Sequence, residues 1–310
     1  MRRFVGTVVT ALVLAGCTAS PPPAGGTDAD RTLASLRKVD DLPLYEMRYA
    51  GDYDATRGLA QAAPATPFGC SLFAAPGPLF GRNFDWDANP AMVLHTDPPD
   101  GYASVSIVDI SYLGVGADPT GDRRLLDAPL LPFDGMNERG LFVGLAADES
   151  ATAAADPAKP TVGGVRVMRL VLDGAATVDE AVAVFDRYNL DFDGGPPLHY
   201  LIADRSGAAA VVEYVDGRMS VVRDTRVLTN IRLSGAPEAQ RRADHRYATA
   251  ATALSTAGAA MNWEDAMGVL RDVAQGHTRW SAVYDPVTGT VRVVAGQRWN
   301  TVHTFELAGF

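Results

Sequence analysis

Three strand patterns in quick succession constrain the fold of this chain more than any other feature of its sequence. They cover residues 198–202, 208–214 and 219–222, and short turns rich in Asp and Gly separate them at 204–207 and 216–217. Connections this short join antiparallel strands, because a parallel pair needs a crossover of a dozen or more residues. The sequence therefore predicts an antiparallel sheet and shows no regular strand–helix–strand alternation of a dinucleotide-binding fold.

The rest of the chain supplies more strands and a few helices. Strand patterns occupy residues 43–49, 79–86, 102–112, 141–146, 281–284, 291–294 and 302–307. Helical patterns occupy residues 31–38, 178–188, 237–254 and 262–274. Thr177 and Glu180 form the pattern of a capping box at the start of the second of these helices. Antiparallel strand groups with helices gathered between them predict an α+β protein with helix layers on its sheets.

Composition excludes several classes of function. The chain has 310 residues, 47% of them hydrophobic, so it can bury a sizeable core. A net charge of −10 argues against a nucleic-acid partner. With two cysteines, Cys17 and Cys70, the chain cannot form a disulfide scaffold or a cysteine-based zinc site. Phosphate-loop and dinucleotide glycine spacings are missing, and we predict no cofactor and no metal.

The first residues have the pattern of an export signal. Two arginines precede an apolar run at 4–15, which is shorter than the ~20 residues that a membrane-spanning helix needs. The run ends in Leu14-Ala15-Gly16-Cys17, which resembles a bacterial lipobox, although a plain secretory signal that contains a cysteine is the alternative. We therefore expect a lipoprotein signal peptide at 1–16, lipidation of Cys17 and a flexible tether at 17–29. The body of the protein would then lie outside the cytoplasm, anchored to the bacterial cell membrane.

The second cysteine then has no disulfide partner. A lone cysteine in an exported protein is either a buried apolar residue or a reactive thiol. Further along the chain from Cys70 lies the segment Gly81-Arg82-Asn83-Phe84-Asp85. If the fold brings Arg82 beside the sulfur, its positive charge favours the reactive thiolate. The other interpretation of Arg82 and Asp85 is an ordinary surface ion pair on a hairpin. These residues leave both interpretations open.

A reactive thiol also needs a base. None of the five histidines lies in a context that links it to Cys70, and no Gly-x-Ser-x-Gly motif is present. If the peptide bond between Gly69 and Cys70 were cut, the α-amine of Cys70 would lie beside its own thiol, with an ordinary pKa of ~8. Gly69 has no side chain, so this bond would be open to attack by the thiol.

These residues carry a family resemblance. Phe68-Gly69-Cys70 and the segment 81–85 resemble the nucleophile region of the choloylglycine hydrolase and penicillin V acylase family. Its members are N-terminal-nucleophile hydrolases of linear amides, and the wider group includes amidases similar to acid ceramidase. Five further segments agree with the family in the same order along the chain: 134–141, 198–213, 227–230, 245–247 and 278–285.

The resemblance implies a four-layer αββα sandwich with the nucleophile at the start of a strand. Cys70 would supply the nucleophilic Sγ and, after cleavage, the α-amine that acts as base. Asp85 would orient that amine, and Arg82 would favour the thiolate. Asn230 would donate a hydrogen bond to the oxyanion, a contact worth about 3–4 kcal/mol. Arg246 would complete the polar network.

Two details qualify these assignments. Arg242 lies one helical turn before Arg246 and is a rival for its place, since the helix register is open. The bile-salt branch of the family has an oxyanion asparagine in a Gly-Leu-Asn stretch, whereas this chain has Gly144-Leu145-Ala146-Ala147. A backbone N–H could replace the missing amide, but the case for bile salts as substrates is weaker.

The resemblance divides the chain and suggests its reaction. Residues 30–69 would be a propeptide or a retained small subunit, and 70–310 the amide hydrolase domain. The reaction would be hydrolysis of a linear amide bond in a small N-acyl compound, through a thioester on Cys70. Fatty amides, acyl-homoserine lactones, penicillins and bile conjugates all fit, with selectivity expected in loops at 86–101 and 147–162. The alternatives are acyl transfer at the same site or a non-catalytic binding lipoprotein of the cell envelope, and no oligomeric state is predicted.

Overall fold

The computed structural model describes residues 26–57, 69–87, 89–192 and 195–307. The predicted signal peptide, the lipidation site at Cys17 and the first part of the tether lie outside these residues. Phe68, the first residue of the nucleophile motif, also lies outside them. Within the described ranges, no helix is both long enough and apolar enough to cross a lipid bilayer.

The described residues form α-helices and strands that alternate irregularly along the chain. The helices are α1 (Asp28–Ala34), α2 (Val167–Gly174), α3 (Val178–Asp186), α4 (Glu238–Arg241), α5 (His245–Ala257) and α6 (Trp263–Asp272). The first strands are β1 (Arg37–Asp40), β2 (Leu44–Arg48), β3 (Gly69–Ala74), β4 (Phe80–Asp85), β5 (Ala91–Thr96), β6 (Ser104–Asp109), β7 (Asp134–Asn137) and β8 (Phe142–Ala147). The remaining strands are β9 (Thr161–Gly163), β10 (Asn189–Asp191), β11 (Leu198–Ala203), β12 (Ala209–Val215), β13 (Arg218–Arg223), β14 (Val227–Leu228), β15 (Thr278–Asp285), β16 (Thr290–Ala295) and β17 (His303–Glu306). Short 3-10 helices lie at Ile110–Leu113, Arg123–Leu130 and Gly258–Ala260.

Two large sheets organise the molecule. The nine-stranded sheet has the order β1-β2-β5-β6-β7-β8-β11-β12-β13, and the six-stranded sheet has the order β14-β3-β4-β15-β16-β17. Strands β9 and β10 form a separate parallel pair. Every pairing in the two large sheets is antiparallel except that of β2 with β5. The strand succession 198–222 forms β11, β12 and β13, as its short turns predict.

The two sheets pack face to face and helices cover their outer faces. Strand β3 of the six-stranded sheet contacts β8 and β11 of the nine-stranded sheet. Helices α2 and α3 pack on the nine-stranded sheet, and α5 and α6 pack on the six-stranded sheet. The central strands β4 and β8 are buried along their whole lengths, because a layer covers each of their two faces. This arrangement confirms the predicted α+β fold with four αββα layers.

Three local predictions are wrong in detail. The helix expected at 31–38 is α1, which ends at Ala34 and is followed by strand β1. The helix expected at 237–254 is two helices, because Asp244 breaks it and caps α5 by accepting a hydrogen bond from the Tyr247 N–H at 2.8 Å. The expected loop at 86–101 contains the fully buried strand β5.

Candidate active site

Cys70 is the second residue of β3, and the β3–β4 hairpin places it beside Arg82. In this hairpin Cys70 pairs with Phe84 and Gly69 pairs with Asp85. Side chains two residues apart on a strand share a face, so Arg82 and Cys70 point to the same side of the sheet. Both side chains are completely buried.

Arg82 is a buried cation whose contacts fix its position. Its Nη2 donates to the Sγ of Cys70 at 3.2 Å. Its Nη1 donates to the carbonyl of Phe133 and lies 3.0 Å from Oδ2 of Asp134. Asp134 also accepts hydrogen bonds from the Tyr284 hydroxyl and, at 3.4 Å, from the Trp280 indole. A buried charge is tolerated when it is paired and hydrogen-bonded in this way, so Asp134 is the residue that keeps Arg82 beside the sulfur.

The thiol of Cys70 is protonated at neutral pH in the intact chain. Burial raises its pKa to about 11, although the positive charges of Arg82 and Arg246 act in the opposite direction. The thiolate is the nucleophilic form of cysteine. Attack by this sulfur therefore requires a base that takes its proton.

Asn230 and Arg246 hold the backbone of Cys70. The Oδ1 of Asn230 accepts a hydrogen bond from the Cys70 N–H at 2.8 Å, and its Nδ2 donates to the Ala147 carbonyl at 2.8 Å. Arg246 donates to the Cys70 carbonyl at 2.8 Å and to Oδ1 of Asn230 at 3.1 Å. The rival, Arg242, is exposed and pairs with Glu238 at 2.7 Å. The structure thus brings Arg246, and not Arg242, to the predicted nucleophile.

Asp85 lies against the bond that precedes Cys70. Its carboxylate accepts hydrogen bonds from Nε2 of Gln275 and Oγ1 of Thr278, both at 2.5 Å, and lies 3.7 Å from Nη1 of Arg246. In the intact chain the Cys70 N–H donates to Asn230 rather than to Asp85. A Cβ added to Gly69 would lie 2.6 Å from Nε2 of Gln275 and 3.1 Å from Cβ of Asp85. Glycine is therefore the residue that fits between the cysteine and this carboxylate.

Sequence reasoning missed three residues of this site. Asp134 and Thr278 lie inside segments that carry the family resemblance, but nothing in the sequence pairs them with Arg82 and Asp85. Thr278 lies opposite Asp85 across the β4–β15 pair, a contact that only the strand register reveals. Gln275 precedes β15 by three residues and had no sequence signal at all.

A cavity of about 800 Å³ opens next to Gly69. Its wall includes residues 147–150, the beginning of one predicted specificity loop, and none of the residues that the structure describes at 86–101. Its charged lining residues have both signs: Asp148, Glu149, Arg232, Arg241, Asp244 and Arg246. Cys70 itself is buried behind Gly69 in the intact chain.

Comparison with known proteins identifies the family. The model of the linear amide C–N hydrolases, choloylglycine hydrolase family, matches residues 76–232, which include Arg82, Asp85 and Asn230. The chain belongs to the choloylglycine hydrolase family. A penicillin V acylase of Pectobacterium atrosepticum is 32% identical over 110 residues. That match covers 31% of this chain and only 29% of the length of the acylase.

Solved structures of the family have the same fold. Penicillin V acylase from Agrobacterium tumefaciens superposes with a TM-score of 0.55 at 19% identity, covering 78% of this chain and 87% of the other. A mutant of conjugated bile acid hydrolase from Clostridium perfringens superposes with a TM-score of 0.58 at 16% identity, covering 77% and 92%. At these identities the likeness establishes the fold of this family member and not its substrate.

Proposed function

We propose that this protein hydrolyses the amide bond of a small N-acyl compound with Cys70 as nucleophile, through a thioester intermediate. The observation that carries the proposal is the set of contacts around Cys70. Arg82 contacts its sulfur, Asn230 its N–H and Arg246 its carbonyl, so side chains from three parts of the chain converge on one cysteine. Positioned nucleophiles of this kind are typical of covalent acyl transfer.

The enzyme would first cut itself between Gly69 and Cys70. The Sγ of Cys70 attacks the Gly69 carbonyl, and the thiol proton passes to the departing nitrogen of Cys70. The C–N bond breaks, and the acyl group moves from nitrogen to sulfur. Water then hydrolyses the thioester, which leaves a carboxylate on Gly69 and a free amine and thiol on Cys70. The position of Asp85 beside Gly69 and the absence of a side chain at Gly69 support this step.

The freed amine of Cys70 would be the missing base. It takes the thiol proton, the thiolate attacks the substrate carbonyl, and the proton passes to the departing amine. Water hydrolyses the resulting acyl-thioester with the same amine as base. Asp85 lies close enough to the Gly69–Cys70 junction to orient the new amine, and the amide of Asn230 would stabilise the oxyanion.

The segment before the cut would remain bound as a small subunit. Strand β2 pairs with β5 inside the nine-stranded sheet, and Leu44 and Met47 are almost completely buried. The hydroxyl of Tyr45 donates to the Ala117 carbonyl at 2.7 Å, and that of Tyr53 donates to Asp173 at 2.9 Å. A segment with buried side chains and strand pairing does not leave when a bond beyond it is cut.

Retention also bears on the predicted lipid anchor. If Cys17 is lipidated, cleavage before Cys70 separates the anchor covalently from the catalytic chain. Among the residues that the structure describes, the docked segment 26–57 would then link the lipid to the active site without a covalent bond. The predicted export signal and the resemblance of residues 14–17 to a lipobox support this proposal. Labelling with radioactive palmitate, lost in Cys17→Ala, tests it.

Penicillin V is the first substrate to test, because one of the matched relatives is a penicillin V acylase. The experiment compares release of amine from penicillin V, N-acyl-homoserine lactones, fatty amides and bile conjugates by the self-processed protein. Cys70→Ala should abolish all release. Ser71→Ala should retain activity, because Ser71 is buried but, as the next residue on β3, points to the opposite face of the sheet. Release by Cys70→Ala equal to that of the native protein would overturn the proposal.

Acyl transfer at the same site is a second outcome that this assay can distinguish. Both reactions share the acyl-thioester on Cys70, and they differ only in whether water or an amine accepts the acyl group. Added hydroxylamine would give an acyl hydroxamate at the expense of the free acid if the site admits amine acceptors. A non-catalytic binding lipoprotein would give no release with any substrate.

A further inference from the structure

A buried histidine connects the two sheets just behind Asn230. His199 lies on β11 of the nine-stranded sheet and is completely buried. Its Nε2 lies 2.8 Å from the carbonyl oxygen of Thr229, the residue before Asn230. A carbonyl oxygen only accepts hydrogen bonds, so Nε2 carries a hydrogen.

The other ring nitrogen faces two carboxylates. Nδ1 of His199 lies 3.4 Å from Oε1 of Glu213 and 4.0 Å from Oδ2 of Asp148. Both acids are buried, and the Asp148 oxygen has no hydrogen-bond partner. A bare nitrogen lone pair facing two carboxylate oxygens would be repelled by both of them. A proton on Nδ1 removes this repulsion and gives the two acids a cation to pair with.

Glu213 holds the other end of the same segment. Its two oxygens accept hydrogen bonds from the backbone N–H groups of Leu233 and Ser234, both at 2.7 Å. Although burial opposes ionisation, the hydrogen bonds from His199, Ser234 and Leu233 lower the pKa of Glu213 to about 2. The carboxylate is therefore charged, and it binds the chain three and four residues after Asn230.

The geometry points to a positioning role for this pair: His199, as an imidazolium, and Glu213 clamp the segment 229–234 from the opposite sheet and thereby fix the side chain of Asn230 at Cys70. Asp148 provides the second negative charge beside the imidazolium. It also follows Ala147, whose carbonyl accepts from Nδ2 of Asn230. The cluster thus fixes both chain segments that orient this amide.

The inference rests on the proposed function, because it assigns residues that act on the same site. A misplacement of about 1 Å in a catalytic group can cost about 10²-fold in rate. We expect His199→Gln to slow self-cleavage and to lower kcat for penicillin V by at least about tenfold, with KM changed less than about threefold. Glu213→Gln should have an effect of the same kind, because it loses one of the two backbone contacts.

His95→Gln is the matched control. His95 and Glu46 form a buried His–Glu pair in the same nine-stranded sheet, at 3.0 Å, and neither lines the cavity. If His95→Gln lowers kcat as much as His199→Gln does at equal loss of thermal stability, the effect is general destabilisation and the clamp is overturned. An unchanged kcat in folded His199→Gln also overturns it.

Two measurements on the native sequence remain decisive even if the variants do not fold. The first is nitrogen-15 NMR of the histidine rings, which reports which ring nitrogens carry hydrogen. The proposal requires both nitrogens of His199 to be protonated.

The second is metal analysis of the purified protein. A metal ion could occupy this cluster in place of the Nδ1 proton, since side-chain atoms of Asp148, His199 and Glu213 lie within 4.8 Å of one another. A neutral ring or one divalent ion per chain would overturn the imidazolium clamp. A native protein that shows both ring hydrogens but neither cleaves itself nor hydrolyses amides would instead contradict the proposed function.

Discussion

At the scale of single residues, the geometry of the site depends on the size of the side chain at each position. Gly69 is the clearest case, because the added methyl group of Gly69→Ala meets Nε2 of Gln275 at 2.6 Å. Gln275 can move away, but Asp85 then loses a hydrogen bond. We expect Gly69→Ala to fold and to cleave itself at least about tenfold more slowly, since the bond to be cut is displaced.

The time course of cleavage, followed by intact mass after expression, measures this effect. Gly268→Ala is the matched control, because an added Cβ there meets no atom within 4 Å. In Gly69→Ala with Gln275→Ala the displaced side chain is gone, so part of the rate should return. Cleavage of Gly69→Ala at the native rate would contradict the close fit described here.

Arg82 combines a structural and a chemical role in one side chain. Its removal in Arg82→Met leaves the buried Asp134 without its cation, and breaking a buried ion pair costs about 3–5 kcal/mol. Arg82→Lys keeps the charge but cannot contact both Asp134 and the sulfur of Cys70 in the same fork geometry. We therefore expect Arg82→Lys to lose activity with a smaller loss of stability than Arg82→Met.

Urea unfolding and amide hydrolysis, measured on both variants, separate these two roles. Arg124→Gln serves as the control, because Arg124 is an exposed arginine in a local pair with Asp122. Surface pairs of this kind contribute little to stability. Equal stability of Arg82→Met and Arg124→Gln would show that the buried pair is not required.

At the scale of elements, β2 decides what happens to the chain before the cut. Met47 is completely buried, whereas Lys38 on β1 is exposed. Truncation of a buried methionine costs about 2–5 kcal/mol. We predict that size-exclusion chromatography of the cleaved native protein shows both pieces eluting together, and that Met47→Ala weakens their association while Lys38→Ala does not. Separation of the native pieces without denaturant would contradict the retained small subunit.

The elements also show where sequence patterns are sufficient. The turns at 204–207 and 216–217 determine the β11–β12–β13 succession locally, so the sequence predicts it correctly. The break between α4 and α5 could not be predicted in this way, because an aspartate is also common on an exposed helix face. Only the structure shows that the side chain of Asp244 caps the first turn of α5. The buried strand β5 lies between β6, which follows it, and β2, which comes from the segment before Cys70. It was missed since the sequence does not show the pairing with β2.

The candidate site likewise contains residues that the local sequence predicts and residues that only long-range contacts reveal. Motif spacing brings Cys70, Arg82 and Asp85 to attention because all three lie on one hairpin, but the family resemblance was needed to assign them to an active site. Asn230 and Arg246 came only from the family resemblance, and the structure brings both of them to Cys70. Asp134 and His199 make contacts between the two sheets, and Gln275 contacts Asp85 from the segment just before β15. All of these contacts depend on tertiary packing that a single sequence does not encode locally.

At the scale of the whole molecule, the clamp between the sheets predicts acid sensitivity. The folded protein holds the pKa of Glu213 at about 2, below its ordinary value of 4.5, so it binds this proton more weakly than the unfolded chain does. The stabilisation is complete above about pH 4.5 and is lost as the pH falls toward 2. By linkage, protonation of Glu213 should lower the free energy of unfolding by about 2 kcal/mol between pH 6 and pH 3.

Urea unfolding of the uncut Cys70→Ala chain at the two pH values measures this loss, since a single chain keeps the transition simple. In Glu213→Gln, added to Cys70→Ala, the difference between the two pH values should shrink by about that amount. Glu149→Gln, a change at an exposed neighbouring acid, should leave it unchanged. The same acid sensitivity in all three proteins would contradict the assigned charge of Glu213.

The central claim is that the chain cuts itself and that Cys70 becomes the amino terminus of the active enzyme. Intact mass together with amino-terminal sequencing of the purified protein, beside Cys70→Ala, tests it most directly. The account predicts a new terminus at Cys70 in the native protein, a retained partner fragment, and a single uncut chain in the variant. An active protein that consists of one uncut chain would contradict it, because the buried thiol would then have no α-amine as its base.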